Sequence, residues 1–165
     1  KERRYLAYDQ DGEFARSGNI DEALLQIFLS DPYFDLPAPK STGREYFNWD
    51  WLAQKLSNFK EVSHENIQRT LLELTARTIS DTIKKTDTTL TIICGGGSKN
   101  SFLMRRIQEL SDVSTQTSDA FGVDSSSMEA MAFAWFAYKR LHNEALNLSS
   151  VTGAKKNSVL GGIYG

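Results

Sequence analysis

Apolar residues recur at helical spacing in five segments, and each segment opens close to a residue that favours helix N-caps. We predict helices over residues 21–29, from Asn48 or Asp50 to 56, from Ser63 to about 84–85, over 100–110 and over 125–142. Met128, Ala132, Trp135 and Phe136 form the apolar face of the last helix. The following tail ends in apolar residues, so we expect it to pack onto the fold.

Two segments have the composition of β-strands. Residues 90–94 (LTIIC) form the clearer strand, and residues 113–117 form a shorter one whose alternation is weakened by Ser and Thr. This order of helices and strands predicts a mixed, helix-rich α/β fold with an incomplete, few-stranded sheet. Because an independent α/β domain has about five strands, we expect further strands upstream. The exposed edge of such a sheet favours pairing, and a homodimer is one expectation.

Composition narrows the classes of partner. The chain has 165 residues with 40% hydrophobic content, which suits a single domain or one lobe of a larger protein. Its net charge of −2 gives no electrostatic footprint for nucleic acid. No window approaches the ~18 continuous apolar residues of a membrane span. We therefore expect neither nucleic acid nor membrane as a partner.

The cysteine and histidine residues argue against a disulfide and against a structural zinc site. The single cysteine, Cys94, excludes an internal disulfide and fits a reducing compartment. Because Cys94 ends an apolar strand, we expect its thiol to be buried and inert. His64 and His142 are far apart in sequence, and no cluster has metal-ligand spacing, so we predict no structural zinc.

Three consecutive glycines, Gly95, Gly96 and Gly97, follow the first strand and precede a helix that starts near Asn100. Such a turn lets a ligand approach the backbone, and a phosphate or a nucleoside is the usual ligand. The spacing fits neither the P-loop nor the dinucleotide fingerprint. Two interpretations stay open, a nucleotide contact or a tight turn without ligand. Asn100 can correspondingly bind a ribose or base, or cap the helix.

Other candidates have structural alternatives of the same kind. Residues 40–45 (KSTGRE) could clamp a phosphate or sugar acid through Arg44, or form a structural loop. Glu129 could bind sugar hydroxyls, or simply favour the positive end of a helix. We expect Asp124 to be the N-cap of the last long helix, and residues 151–156 to form a loop.

Five sequence blocks together resemble the anhydro-N-acetylmuramic acid kinases. These blocks are DPYF at 31–34, PKSTGREYFNWDWL at 39–52, CGGGSKN at 94–100, SMEAMAFAWFA at 127–137, and NLSSVTGA at 147–154 followed by VLGGIYG. They occur in the family's order, and the resemblance extends from about Asp11 to Gly165. Five spaced blocks are far more specific than one glycine motif.

The resemblance implies a fold and a reaction. The family belongs to the sugar kinase/actin/Hsp70 superfamily, whose two ribonuclease-H-like lobes enclose a cleft. Its members use ATP and Mg²⁺ to open the anhydro ring of 1,6-anhydro-N-acetylmuramic acid with water and to phosphorylate O6. The product is N-acetylmuramic acid 6-phosphate, an amino sugar of peptidoglycan recycling in the cytoplasm. Gly95, Gly96, Gly97 and Asn100 would receive the adenosine of ATP, and Glu129 and Arg44 would contact the sugar.

The same resemblance implies that this sequence is partial. The family's glycine-rich phosphate hairpin and its general-base aspartate lie upstream of the first residue here, and Asp9 and Asp11 fall past that segment. We therefore expect residues 1–165 to form one C-terminal lobe that is inactive alone, because transfer needs base, metal and phosphate clamp together. Two alternatives remain: a split or decayed homologue that binds a ligand or partner without turnover, or a sugar kinase with another substrate.

Overall fold

The structure, a computed structural model, describes residues 8–164. Its helices and strands follow in the order α1 (Glu13–Arg16), α2 (Glu22–Leu29), α3 (Pro32–Asp35), α4 (Trp49–Lys55), α5 (His64–Ile83), β1 (Leu90–Ile93), α6 (Ser101–Ser111), β2 (Ser114–Thr117), α7 (Met128–Leu141) and α8 (Ser149–Thr152). The described part of the chain is thus helix-rich, with two strands. These strands are parallel, with Leu90 opposite Ser114 and Ile93 opposite Thr117, and α6 connects them.

Helix α5 runs through the centre of the fold and contributes to two apolar clusters. The first surrounds Leu24, Leu25 and Phe28 of α2 and Leu74 of α5. The second joins Ala76 and Ile83 of α5 to Ile107 of α6, with partly buried side chains from both strand ends. The helix α6 and the β1–β2 pair are therefore anchored on α5, which fixes where the turn after β1 lies.

Asp31 organises the segment between α2 and α4. Its buried carboxylate accepts hydrogen bonds from the Tyr46 hydroxyl at 2.7 Å and the Trp51 indole at 2.8 Å, and it forms an ion pair with Lys55 at 3.1 Å. Burial alone would raise the pKa of Asp31, but the hydrogen bonds from Tyr46 and Trp51 outweigh it and hold that pKa well below its usual range. One carboxylate thus folds this segment onto the first cluster.

Most predicted elements are confirmed to within a few residues. The N-cap side chains of four helices accept a backbone N–H of the first turn, as their residue types predict. These residues are Asp21, Asn48, Ser63 and Asn100. Both predicted strands are present and parallel, each one residue shorter than expected.

The predicted N-cap at Asp124 is wrong. Its carboxylate accepts hydrogen bonds from the Ser126 N–H at 2.8 Å and the Ser127 hydroxyl at 2.9 Å. These bonds lower the pKa of Asp124 and close a turn that precedes the helix. Consequently α7 starts at Met128, later than the predicted residue 125, and Ser127 is its N-cap residue.

Helix α7 is also more exposed than its apolar pattern predicts. Met128, Ala132 and Phe136 are half-buried, but Trp135, predicted on the same face, is 47% exposed. The exposed fractions of Phe133 and Leu141 reach 64% and 73%, respectively. No residue of α7 is fully buried, so the described residues cover this helix only in part.

Two smaller expectations on aromatic and tail residues are corrected as well. The helical spacing of Trp49 predicts a core position, but its side chain is 75% exposed, because Trp51, two residues later on the opposite face of α4, packs against the first cluster. The tail is held by a bridge between Leu146 and Ser158, and the Leu146 side chain is buried. Ile163 and Tyr164 are exposed, so the last described residues do not pack onto the fold.

Candidate functional site

The glycine turn, defined as Gly95, Gly96 and Gly97, forms an open stretch of backbone at the carboxyl end of β1. Gly95 has φ +81°, a left-handed conformation that favours glycine, and Gly96–Lys99 form a short 3-10 turn. The Ser98 hydroxyl donates to the Gly95 carbonyl at 2.7 Å and closes this turn. A Cβ placed on any of the three glycines would meet no atom within 4 Å beyond the adjacent chain. The turn therefore offers bare backbone and free space together.

The loop between β2 and α7 packs against this turn. The Gly95 N–H donates to the Ser125 carbonyl at 2.8 Å, and the Ser125 N–H donates to the Asp119 carboxylate at 3.1 Å. The bond from the Ser125 N–H lowers the pKa of Asp119 below its ordinary value. The carboxyl ends of the two parallel strands, where open α/β sheets bind ligands, are thereby joined to the start of α7.

Asn100 lies between the glycine turn and α6, and its capping role is confirmed. Its Oδ1 accepts the Leu103 N–H at 2.9 Å. Gly12 packs closely against it, since a Cβ on Gly12 would lie 2.5 Å from Asn100 Oδ1. Within residues 8–164 the side-chain amide nitrogen of Asn100 donates no hydrogen bond, so this group is available to a ligand.

Glu129 occupies the first turn of α7, four positions after Ser125. Its side chain is exposed and makes no ion pair or hydrogen bond with any described residue. Neither the core nor the helix cap depends on this carboxylate. The position is therefore free for a contact with a ligand near the glycine turn, and its role as a sugar contact stays a prediction.

The loop of residues 40–45 is partly structural. The Lys40 ammonium donates to the carbonyls of Tyr33 at 2.9 Å and Phe34 at 2.8 Å, and it lies 4.8 Å from the Tyr33 ring centroid. Arg44 is exposed and pairs with no described residue. Among the residues described, no hydrogen bond or ion pair links this loop to the glycine turn. The structure thus does not bring Arg44 together with Gly95, Gly96 and Gly97.

The thiol of Cys94 is exposed, which corrects the prediction that it is buried and inert. Cys94 follows the last residue of β1, and within the described residues a single neighbouring strand pairs with β1. A strand end in a two-stranded sheet is covered on fewer sides than one in a larger sheet. The thiol stands directly before Gly95 and can report on occupancy of the turn.

Sequence reasoning missed a buried carboxylate on α5. Glu73 is 0% exposed, and its two oxygens are bound by Arg106 in a bidentate pair, with Nε at 2.8 Å and Nη2 at 2.9 Å. Arg69 adds an ion pair at 3.2 Å and Arg77 one at 3.0 Å. Burial would raise the pKa of Glu73, but hydrogen bonds from Arg106 and Arg77, with the charges of Arg106 and Arg69, lower it to about 2.

Arg69 also reaches the first turn of α6. The Phe102 ring lies under the guanidinium groups of Arg69 at 4.8 Å, Arg16 at 5.0 Å and Arg105 at 5.6 Å. The i,i+4 spacing of Arg69, Glu73 and Arg77 was a visible signal for an ion-pair network on one helix face. Such spacing does not reveal burial, because exposed helices carry the same pattern.

The described residues hold neither a metal-binding cluster nor a membrane-spanning helix. In that part of the chain, no group of three or more His, Cys, Asp or Glu side chains converges to hold a metal ion. No helix there combines the length and apolar character that crossing a membrane requires.

Known proteins resemble this chain over its whole length. The sequence matches the family described as anhydro-N-acetylmuramic acid kinase over residues 1–165. It is 50% identical to the anhydro-N-acetylmuramic acid kinase of Sulfurimonas denitrificans, with 95% of this chain and 45% of that protein aligned. For the protein of the same name from Sulfurovum sp., identity is 46% over 99% of this chain and 45% of the relative.

The corresponding protein of Shewanella denitrificans is 49% identical, with 96% of this chain and 43% of that protein aligned. The chain therefore spans somewhat less than half the length of these curated relatives. The match nevertheless covers every described element of the fold, including the glycine turn and α7. The chain belongs to the anhydro-N-acetylmuramic acid kinase family.

Proposed function

We propose that the chain is the C-terminal part of a longer kinase, here called the intact kinase, that uses ATP to open and phosphorylate 1,6-anhydro-N-acetylmuramic acid. The product would be N-acetylmuramic acid 6-phosphate. The observation that carries the proposal is the open glycine turn within a family match over residues 1–165. In this proposal the chain forms one lobe of an actin-like fold and supplies one wall of the cleft.

We assign the adenosine part of ATP to the glycine turn. The free space above Gly96 and Gly97 admits a planar base or a ribose to the backbone without displacing any side chain. Asn100 Oδ1 already accepts the Leu103 N–H of the helix cap, so in this proposal the Asn100 side chain contacts the nucleoside as a donor, through its amide N–H groups. The bound nucleotide would supply the phosphoryl group, while these residues hold and orient its distant end.

We assign a sugar contact to Glu129. A carboxylate accepts hydrogen bonds from sugar hydroxyls, and this one has no competing partner among residues 8–164. The bond between Gly95 and Ser125 keeps the start of α7 next to the proposed nucleotide wall. Arg44 is a weaker assignment, because it is exposed but the described contacts do not join it to this site.

We assign neither Mg²⁺ nor the general base to this chain. Among residues 8–164 no group of carboxylates is arranged to hold a metal ion, and Asp31, Asp119 and Asp124 are engaged in structural hydrogen bonds. Phosphoryl transfer depends on positioning several charged groups at once. In the proposal these groups come from the rest of the intact kinase, and the chain alone does not turn over.

Exposed apolar surface supports the proposal of a larger protein. Phe133, Trp135 and Leu141 on α7 are 47–73% exposed, and Ile92 on β1 is 50% exposed. An apolar patch of this kind marks an interaction surface, and parallel strands are normally covered on both faces. We propose that the remainder of the intact kinase covers α7 and extends the sheet.

The test is an activity assay with the intact kinase, ATP and 1,6-anhydro-N-acetylmuramic acid. We expect N-acetylmuramic acid 6-phosphate, identified by mass spectrometry, and no product when residues 1–165 are assayed alone. Alkylation of Cys94 provides a second readout, because bound ADP should slow it. Absence of phosphorylated product with the intact kinase contradicts the proposed reaction. Product formed by residues 1–165 alone contradicts the assignment of the base to another segment.

The alternative of a non-catalytic homologue is separated by the same assay. Such a protein would protect Cys94 with ADP but form no product from the sugar. A kinase with another substrate would phosphorylate a different sugar while leaving 1,6-anhydro-N-acetylmuramic acid unchanged. No observation in the structure favours either alternative over the proposed function.

A further inference from the structure

The Glu73 carboxylate forms ion pairs with three arginines, more than any other carboxylate among residues 8–164, yet it lies outside the proposed site. A buried ion pair of this kind is weak evidence for stability, because desolvation offsets much of the attraction. Its geometry is more informative than its energy. A bidentate guanidinium–carboxylate pair fixes orientation as well as distance between the two helices that carry it.

Glu73 and its arginines contact α6 in two places, the second turn and the first turn. Arg106, in the second turn of α6, is held by both oxygens of Glu73 at 2.8 and 2.9 Å. Arg69 contacts the first turn, since its guanidinium pairs with Glu73 at 3.2 Å and lies 4.8 Å from the ring centroid of Phe102. Phe102 is two residues after Asn100. The network therefore extends from the buried carboxylate to the start of α6.

The start of α6 is where the glycine turn ends. Asn100 caps the helix and follows the short 3-10 turn directly, so a rotation or slide of α6 on α5 moves the turn with it. The Ser80 hydroxyl of α5 also donates to the Ile107 carbonyl at 3.2 Å, next to Arg106 in the second turn of α6. The first turn of α6 is contacted by Arg69 through Phe102, and the Glu73 carboxylate holds both Arg69 and Arg106.

We propose that Glu73 is a positioning residue for the glycine turn, acting through Arg106 and Arg69 to hold the start of α6 where the nucleotide binds. This inference rests on the proposed nucleotide site. It goes further in assigning part of the nucleotide affinity to a carboxylate that does not touch the ligand. Displacing a binding group by about 1 Å can reduce its effect strongly.

The test compares Arg106→Lys with Gln108→Ala in the intact kinase. The first substitution keeps the positive charge but removes the bidentate fork. Gln108 is a control position on the same helix, because its side chain is exposed and forms no hydrogen bond with a described residue. We expect Arg106→Lys to raise the Kd for ADP, measured by calorimetry, about tenfold, with the KM for the sugar unchanged. Gln108→Ala should stay within about twofold of wild type.

A second variant keeps the proposal testable if Arg106→Lys does not fold. Arg69→Lys leaves the Glu73–Arg106 pair intact and removes the planar group over Phe102. We expect its Kd for ADP to rise about threefold. All variants are compared at a temperature where circular dichroism shows them folded, so a lower melting temperature alone does not alter the measured Kd for ADP.

Each outcome decides between distinct conclusions. If folded Arg106→Lys and Arg69→Lys bind ADP as tightly as wild type, the positioning role is overturned and the proposed function stands. Equal losses for ADP and for the sugar also overturn it, because they indicate a general structural effect. If wild type itself does not bind ADP, the proposed nucleotide site fails, and this inference fails with it.

Discussion

Gly18 and Gly96 lie in regions of opposite character. A Cβ on Gly18 would stand 2.2 Å from the carbonyl oxygen of Glu65, at the start of α5, whereas a Cβ on Gly96 would meet nothing within 4 Å. Next to Gly18, the backbone N–H groups of residues 19 and 21 donate hydrogen bonds to the side chains of Asn66 and Thr70, at 2.8 and 3.0 Å. At Gly18 the absence of a side chain allows close packing against α5, whereas at Gly96 it leaves the backbone accessible to a ligand.

The comparison separates stability from ligand binding. Changes in the packed region around α5 should act on the free energy of unfolding, and changes at the glycine turn or on α7 should act on affinity. The buried ion-pair network belongs to the packed region but borders the open one. Variants placed on each side can therefore test whether the two properties are separable.

The largest expected loss of stability follows from Glu73→Gln. The substitution preserves shape but leaves three guanidinium groups around a neutral side chain. Removing one partner of a buried charge pair costs about 3–5 kcal/mol. Urea unfolding of the variant and wild type measures this loss. Glu109→Gln is the control, because Glu109 is 51% exposed and its loss should cost about 0–1 kcal/mol. Equal stabilities for Glu73→Gln and wild type would contradict a buried, charged Glu73.

Acid should weaken the same network. The pKa of Glu73 falls from its ordinary 4.5 to about 2 on folding, so the unfolded chain takes up this proton first as the pH decreases. The contribution of Glu73 is complete above about pH 4.5 and is lost progressively towards pH 2. It amounts to roughly 3 kcal/mol. Unfolding free energies of wild type and Glu73→Gln, measured from pH 7 to pH 3, should converge on acidification. A constant difference between them would exclude this linkage.

Gly18→Ala should also destabilise the fold, by about 1–3 kcal/mol. The added methyl group meets the backbone of Glu65 and Asn66, which cannot move without shifting the first turn of α5. Thermal unfolding followed by circular dichroism measures the loss. Ser17→Ala, at an exposed neighbouring position, is the control and should change stability by less than about 1 kcal/mol. A Gly18→Ala variant as stable as wild type would show that this contact is not tight.

The smallest expected effect on stability is that of Glu129→Ala, within about 0.5 kcal/mol. Its carboxylate is exposed and has no partner among the described residues. Steady-state kinetics of the intact kinase should instead show a higher KM for the sugar or a lower kcat. A collapse of the melting temperature would identify Glu129 as structural, and unchanged kinetics would remove it from the site.

Local signals explain which parts of the fold were predictable. Asp21, Ser63 and Asn100 cap helices because their side chains reach a backbone N–H of the following turn, an interaction set within a few residues. The start of α7 was misplaced because Asp124 uses its carboxylate within a turn of its own. Both assignments are consistent with a carboxylate before a helix, so the sequence alone did not separate them.

Burial was less predictable because it depends on distant contacts. Glu73 reads as a solvated partner of Arg69 and Arg77 until Arg106 is brought in from another helix. Cys94 and Trp135 read as buried from their apolar neighbours, but the described part of the chain provides nothing to cover them. For the candidate site, the sequence located the glycine turn, whereas its openness and its link to Ser125 required the fold.

Binding of ADP to the intact kinase carrying Gly96→Val tests the central claim most directly. A Cβ on Gly96 meets no atom within 4 Å beyond its chain neighbours, so we expect the melting temperature to change little. The new side chain would occupy the space assigned to the nucleoside and raise the Kd for ADP about tenfold or more, equivalent to about 1.4 kcal/mol. Ala53→Val, on the exposed side of α4, is the control and should leave this Kd unchanged. A folded Gly96→Val variant that binds ADP as tightly as wild type would contradict the account.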